Sequence, residues 1–280
     1  MILLDGRKTA DTLNKELLQK VLKLNEKPHL EIILIGDNPA SKSYVRGKLK
    51  TVNDVGMSVN VNYLKDNVNE KEVYDLINKF NNDKKVNGIL LQLPIPKHLD
   101  EKGLIEAISS LKDVDGFHTM NHGLLFQNKE GIRPATPFGI VMLLNHYNID
   151  VSGKDVLVIG RSQIVGIPIS KMMLDLNATV TTAHSKTKDL TFYTKHADII
   201  IVAVGFPNLL TKEMVKPGVI IIDVGINRVN NKLVGDVDFE NVKELTSYIT
   251  PVPGGVGPMT ICALSHNLYD LYIKQNKENN

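Results

Sequence analysis

The chain has 280 residues, a formal net charge of +2 and 42% hydrophobic residues, enough for one large domain or two ordinary ones. This near-neutral balance gives no electrostatic footprint for nucleic acid, while the single cysteine, Cys262, excludes an internal disulfide and no Cys/His cluster suggests a metal site. The start of the chain lacks the apolar core of a signal peptide, and no apolar run reaches the roughly 20 residues that span a bilayer, so we expect a cytoplasmic protein without membrane contact.

The first part of the chain alternates helical and strand patterns. The patterns predict a helix from 11 or 12 to 22, a strand at 29–35, a helix at 41–55, a strand at 58–63, a helix at 69–80, a strand at 88–93 and a helix at 104–111. Segment 112–123 (KDVDGFHTMNHG) is too rich in Asp, Asn, His and Gly for a regular element. Such alternation is typical of a parallel sheet.

The second part predicts a further α/β unit. It has a helix starting at Thr136-Pro137, strands at 156–159, 179–182, 199–204, 219–224 and 248–250, helices at 167–176 and 259–274, and a polar tail at 276–280. We therefore predict α/β architecture with two domains, the second a Rossmann-like, doubly wound parallel sheet. The first domain covers 1–120, with the C-terminal helix (260–280) packing back on it, and the second covers 121–259.

A glycine-bearing turn follows the strand at 156–159. Gly160 ends the strand, and Gly166 precedes the next predicted helix. Such a junction presents unpaired N–H groups and the positive end of a helix to an anion, which suits a dinucleotide pyrophosphate. The pattern departs from G-x-G-x-x-G, because Ser162 replaces the middle glycine and the last glycine is displaced, so a purely structural turn is the alternative.

The loop after the next strand favours NADP over NAD. NAD-binding folds commonly place an acid there to bind the ribose hydroxyls, yet this chain has none between Asp175 and Asp189. Arg161 in the first turn, with Ser185 and Lys186 in the second, supplies a cation and a hydroxyl that suit a 2′-phosphate.

Four polar residues of the first domain are candidate site residues. Tyr44 and Lys48 are four apart on a predicted helix and share a face, although an ordinary solvated helix shows the same spacing. Gln92 is the single polar residue of an apolar strand, at the edge where parallel sheets bind ligands. Asp115 stands beside a glycine in the predicted interdomain segment, where an Asx-turn would also explain it.

A second candidate element is the segment 251–260 (PVPGGVGPMT), with three glycines and three prolines before the last helix. Only backbone can approach a ligand closely at such a loop. Glycine-rich turns are also common connectors, so an ordinary connecting loop is the alternative.

Eight segments in order resemble one enzyme family. They are DNPASKSYVRGKLK, GILLQLPIPKHL, KDVDGFHTMNHG, ATPFGI, VIGRSQIVGIP, HSKT, DVGINR and PVPGGVGPMT, from about residue 36 to 260. The chain is similar to bifunctional methylenetetrahydrofolate dehydrogenase/methenyltetrahydrofolate cyclohydrolases, with Ala135 where members often carry Cys. The resemblance implies a two-domain enzyme with a folate cleft between domains, which oxidises 5,10-methylenetetrahydrofolate with NADP and hydrolyses the methenyl product to 10-formyltetrahydrofolate. It also suggests a homodimer joined through the cofactor domain.

The resemblance further implies roles for individual residues. Lys48 would be the catalytic lysine with Gln92 beside it, Tyr44 would stack on the aminobenzoyl ring, and Asp115 would hold the pterin. The implied NADP contacts are Gly160, Arg161, Ser162, Ser185 and Ile226. The implied further folate contacts are Leu93, Pro253, Gly254, Gly255, Val256 and Gly257.

Two other function classes are compatible with the glycine turn. One is a dehydrogenase of another small metabolite, such as a shikimate-type oxidoreductase. The other is a non-catalytic NADP-binding sensor. The set formed by Tyr44, Lys48, Gln92 and Asp115 argues against both, because neither needs it.

Overall fold

The structure is a computed structural model that describes residues 1–230 and 232–277. Its strands are β1 Ile2–Leu3, β2 His29–Ile35, β3 Ser58–Leu64, β4 Gly88–Leu91, β5 Asp155–Ile159, β6 Thr179–Ala183, β7 Ile199–Val202, β8 Val219–Asp223, β9 Asn227–Val229, β10 Lys232–Val234 and β11 Thr246–Ile249. Its helices are α1 Gly6–Val21, α2 Pro39–Asp54, α3 Glu70–Asn82, α4 Glu101–Ala107, α5 Thr119–Phe126, α6 Ala135–His146, α7 Gly166–Asp175, α8 Leu190–His196, α9 Phe239–Val242 and α10 Val256–Lys277. The predicted α/β class with parallel sheets is confirmed.

The chain forms two compact units. Unit 1 comprises Met1–Asp11 and Thr136–Thr260, and unit 2 comprises Thr12–Ala135 and the described residues from Ile261 onward. These limits differ from the predicted domain limits at the N-terminus, where β1 pairs in parallel with β11 of unit 1. They also differ near 120, because Asn121 donates a hydrogen bond to the Asp113 carboxylate and so ties the next segment to unit 2.

Unit 2 is built on a three-stranded parallel sheet in the order β3-β2-β4. Five of the seven residues of the central strand, β2, are aliphatic, as expected for a buried strand between two parallel neighbours. Helix α10 packs closely on this sheet: a Cβ added to Gly88 of β4 would lie 2.7 Å from Leu268 Cδ1. Glycine at 88 therefore allows the close approach of α10 to the strand that ends at the candidate site.

Unit 1 is built on a six-stranded parallel sheet in the order β1-β11-β8-β7-β5-β6. From β5 the chain first goes to β6 on one side and then to β7 on the other, so the order reverses at the carboxyl end of β5. In doubly wound sheets this switch point is where ligands bind. The core beneath it consists of fully buried aliphatic residues such as Leu157, Ile200 and Ile221.

Several local predictions were wrong. Segment 112–123 is not wholly irregular, because α5 begins at Thr119, with the His118 side chain accepting a hydrogen bond from Met120 N at 2.9 Å. The polar side chains of this segment, which suggested a loop, instead form hydrogen bonds at the start of the helix and with residues outside it. Helix α1 begins earlier than predicted, and β1, α8, α9 and the β9–β10 hairpin were not predicted.

The C-terminal prediction is only partly within the structure. Helix α10 extends past the predicted end at 274 and includes 276 and 277, which were expected in the tail. Residues 278–280 of the predicted helix and tail lie outside the described residues.

Candidate active site

Helix α2 carries Tyr44 and Lys48 of unit 2. Its start is well defined, because the Asn38 side chain accepts hydrogen bonds from Ala40 N at 2.9 Å and Ser41 N at 3.3 Å, with Pro39 at the first helical position. Lys48 is only 6% exposed. Lysine side chains are almost never buried unless they are paired, so Lys48 is not an ordinary solvated surface residue. The capped helix fixes the position of its amine.

Gln92 is the hydrogen-bond partner of Lys48. The Lys48 Nζ donates to Gln92 Oε1 at 3.1 Å. Gln92 follows directly after β4, where its backbone N–H donates to Ile33 O at 2.9 Å, and its Nε2 donates to Leu93 O at 2.7 Å. With its amide nitrogen bound to Leu93, the carboxamide is oriented so that its oxygen faces the lysine.

Burial and the Asp115 carboxylate shift the pKa of Lys48 in opposite directions. Burial lowers the pKa of Lys48, and the Asp115 carboxylate opposes that shift only in part. The pKa of Asp115 is raised, chiefly by desolvation and also by Asp113, while Lys48 lowers it. Asp115 retains some exposed surface, yet the surrounding protein desolvates its carboxyl group. The Lys48 amine, next to Asp115, is therefore more easily deprotonated than the amine of a surface lysine.

Asp113 holds the loop that carries Asp115. Its carboxylate accepts hydrogen bonds from Gly116 N at 3.0 Å, His118 N at 2.8 Å and Asn121 Nδ2 at 2.9 Å. Sequence reasoning did not single out Asp113. The available signal was its position two residues before Asp115 in the polar segment 112–123.

Tyr44 differs from Lys48 in exposure. It lies one helical turn before the lysine and is 37% exposed, so its ring can receive a flat ligand. Partial burial raises the pKa of its phenol, which at its ordinary value is already neutral near pH 7.

The glycine turn of unit 1 brings backbone segments very close together. Gly160 has φ +122°, and a Cβ there would lie 2.4 Å from Ala203 O. A Cβ on Gly166 would lie 2.3 Å from Gly160 O. Ser162 Oγ accepts hydrogen bonds from Val165 N at 3.1 Å and Gly166 N at 3.3 Å, the N–H groups at the start of α7, while Arg161 is exposed.

Ser185 and Ile226 lie at the same edge of the unit 1 sheet as the glycine turn. They follow β6 and β8, whose carboxyl ends flank those of β5 and β7. Both side chains are exposed. The loop after β6 also borders a cavity of about 410 Å³, and its lining includes Lys186 and Phe192. All five residues implied in NADP binding therefore lie at one sheet edge.

The glycine–proline loop follows β11 in unit 1. Gly254 has φ +110° and its carbonyl accepts a hydrogen bond from Arg7 N at 3.1 Å. A Cβ on Gly6 would lie 1.8 Å from Gly255 O, so the two backbones are in direct contact. Val256 and Gly257 belong to the first turn of α10. Residues 253–257 are therefore part loop and part helix start.

The described residues contain no group of three His, Cys, Asp or Glu side chains placed to hold a metal ion. In the same part of the chain, no helix combines the length and apolar character needed to cross a membrane. Cys262 is fully buried, and burial raises the pKa of its thiol to about 12, so it is not a nucleophile.

Both halves of the chain match models of one family. Residues 4–115 match the catalytic domain of tetrahydrofolate dehydrogenase/cyclohydrolase, and residues 134–276 match its NAD(P)-binding domain. The bifunctional protein FolD of Acholeplasma laidlawii is 65% identical over 277 residues, which are 99% of this chain and 100% of that protein.

Solved structures show the same similarity. The bifunctional FolD methylenetetrahydrofolate dehydrogenase/cyclohydrolase of Campylobacter jejuni has a TM-score of 0.96 at 49% identity, covering 98% of this chain and 99% of that one. The Trypanosoma brucei methylenetetrahydrofolate dehydrogenase-cyclohydrolase, solved with NADP and an inhibitor, has a TM-score of 0.94 at 32% identity, covering 98% of each chain.

Proposed function

The chain belongs to the tetrahydrofolate dehydrogenase/cyclohydrolase family, and from that premise we propose how its residues perform the two reactions. The enzyme oxidises 5,10-methylenetetrahydrofolate to 5,10-methenyltetrahydrofolate with NADP and hydrolyses that product to 10-formyltetrahydrofolate. We assign folate binding and hydrolysis to unit 2 and NADP binding to unit 1. The single observation that carries the assignment is the buried Lys48, bonded to Gln92 and facing the charge of Asp115.

The residues at the unit 1 sheet edge fit NADP. The turn at Gly160 and Gly166 has no room for side chains, as a backbone cradle for a pyrophosphate requires. Arg161 is an exposed cation and Ser185 an exposed hydroxyl, and Asp189, the first acid after β6, caps α8 through Phe192 N. We propose that Arg161 and Ser185 bind the 2′-phosphate. NADP, when bound, supplies the hydride acceptor.

Lys48 is the proposed proton-transfer group of the hydrolysis. Because burial lowers its pKa, Lys48 is neutral more often than a surface lysine, and the neutral amine can accept a proton as water bonds to the methenyl carbon. The resulting ammonium returns that proton to the ring nitrogen as the carbon–nitrogen bond breaks, and the hydroxyl proton leaves to solvent as the formyl group forms. Gln92 orients the amine through its carboxamide oxygen.

The folate contacts are proposed from chemistry and position. Tyr44 presents an exposed ring on the face of α2 that also carries Lys48, which suits stacking on the aminobenzoyl ring. Asp115 is held by its loop as a hydrogen-bond acceptor for the pterin. Leu93 is a further proposed folate contact in unit 2. The proposal that residues 253–257 of unit 1 also contact the folate rests on the family resemblance alone.

We also propose that the enzyme is a cytoplasmic homodimer joined through unit 1. The single buried cysteine suits a reducing compartment, and the dimer rests on the family resemblance. Light scattering on the purified chain tests the dimer through its mass in solution.

A two-step absorbance assay tests the function. With methylenetetrahydrofolate and NADP, the absorbance of methenyltetrahydrofolate should rise, and methenyltetrahydrofolate supplied alone should decay faster with enzyme than without. Omitting NADP should abolish the rise and leave the decay. Absence of both signals would overturn the proposal.

A further inference from the structure

Two aspartates lie buried behind the exposed NADP edge of unit 1. Asp223 ends β8 and is 3% exposed, and Asp236 follows the β9–β10 hairpin and is 0% exposed. Neither can touch a ligand directly. Burial and the neighbouring Asp236 raise the pKa of Asp223 to about 6, against the backbone hydrogen bonds that lower it. Burying two adjacent carboxyl groups costs free energy of folding unless hydrogen bonds compensate. The hydrogen-bond partners of the two aspartates therefore indicate which parts of the fold they stabilise.

Asp236 joins the loops after two neighbouring strands. Its Oδ2 accepts hydrogen bonds from Val204 N at 2.8 Å and Gly205 N at 2.9 Å, which follow β7. Its Oδ1 accepts a hydrogen bond at 2.9 Å from Nδ2 of Asn227, a residue in the segment that follows β8. One carboxylate therefore fixes both loops at the carboxyl edge of the sheet.

Asp223 holds Asp236 in place. Its Oδ1 accepts from Gly225 N at 3.0 Å and from Asp236 N at 2.9 Å, and its Oδ2 accepts from Val237 N at 3.0 Å. A Cβ on Gly225 would lie 2.2 Å from Asp236 Oδ1, so the loop after β8 packs directly on the second carboxylate.

The two fixed loops present apolar side chains to solvent. Ile226, 46% exposed, stands between Gly225 and Asn227, which are both held by the aspartates. Val204 is 40% exposed, and its Cγ1 lies 3.5 Å from the Cβ position of Gly160 in the glycine turn. Both exposed aliphatic side chains lie on loops held by Asp236 at the sheet edge that carries the glycine turn, where they can contact a flat heteroaromatic ring of a dinucleotide.

We infer that Asp236, supported by Asp223, is a positioning residue for cofactor binding, which sets Val204 and Ile226 as the apolar seat of an NADP ring. This inference rests on the proposed NADP site of unit 1. It predicts that the aspartate matters for the cofactor and not for hydrolysis of methenyltetrahydrofolate, which uses the amine of Lys48 in unit 2 and needs no NADP.

The test variant is Asp236→Asn, which keeps the shape but turns one acceptor into a donor facing N–H groups. We expect its Kd for NADPH, measured by fluorescence titration, and its KM for NADP to rise about tenfold or more. Hydrolysis of methenyltetrahydrofolate without NADP should stay within twofold of wild type. The matched control is Asp198→Asn in the same unit, whose carboxylate binds Lys216 and Asp155 N at the opposite strand ends.

A second variant guards against misfolding. Asn227→Ala removes one hydrogen bond of Asp236 and leaves its backbone bonds, and a rise of about threefold in the NADPH Kd is expected. Unchanged NADPH binding in Asp236→Asn, or equal loss of both activities with a lowered Tm in both variants, would overturn the inference. If wild-type protein does not bind NADPH, the proposed cofactor site fails instead.

Discussion

Replacing Lys48 by Met is the most direct test of the hydrolytic site. Met is similar in length and apolar, so it fills the 6% exposed position but cannot exchange a proton. Positioned acid–base groups contribute about 10²–10⁴ in rate, so we expect the hydrolysis of methenyltetrahydrofolate to fall by about that factor, which corresponds to about 3–5 kcal/mol. Oxidation of methylenetetrahydrofolate should fall less, because hydride loss requires no proton transfer.

The folded state should survive this substitution. Gln92 Oε1 loses its 3.1 Å partner, which costs about 1–3 kcal/mol if the oxygen stays unpaired. Removing a desolvated amine offsets part of that cost, because burial disfavours its charged form. Urea unfolding should therefore show a small change in the free energy of unfolding. Lys50→Met, an exposed position on the same helix, is the matched control and should leave both activities unchanged.

The pH dependence checks the same residue. A general base must be neutral, so hydrolysis should increase as pH rises through the pKa of Lys48 and then level off. Because burial lowers that pKa, the midpoint should lie below the ordinary value of a lysine, 10.5. Lys48→Arg keeps a positive charge that cannot be lost, and it should abolish this pH-dependent hydrolysis. Full hydrolytic activity in Lys48→Met would refute the assignment.

Two further predictions concern other parts of the chain. Arg161→Ala should raise KM for NADP about tenfold or more, since hydrogen bonds to charged groups contribute about 1.5–3 kcal/mol, and should leave KM for NAD unchanged; equal effects on the two cofactors would contradict a 2′-phosphate contact. Gly88→Ala should lower the free energy of unfolding in urea by about 1–3 kcal/mol, because the new Cβ would lie 2.7 Å from Leu268 Cδ1; a variant as stable as wild type would show that α10 moves away freely.

Hydrophobic periodicity, with the Gly and Pro residues that end elements, was sufficient to predict the longer buried strands and most of the longer helices of this chain. Buried strands such as β2 and β5 are short apolar runs ended by Gly36 and Gly160, and these signals lie within a few neighbouring residues. The polar sequence of α5 misled the prediction, because Thr119 N donates to the Glu106 carboxylate and the Asn121 side chain donates to the Asp113 carboxylate, both of which lie outside the helix. Local composition cannot show that a distant carboxylate will accept a helix's N–H groups.

The candidate site was likewise predicted in part from the sequence and in part only from the structure. The residue types, spacing and family similarity of Lys48, Gln92 and Arg161 were sufficient to propose them from sequence. The family resemblance implied that Gln92 lies beside Lys48, and only the tertiary structure showed that the lysine is buried and donates a hydrogen bond to Gln92, 44 residues away. It likewise brought Asp236 onto the loops after β7 and β8. Burial and hydrogen bonding between distant segments depend on how strands are ordered in the sheets, and strand order is set by packing of the whole chain rather than by any local pattern.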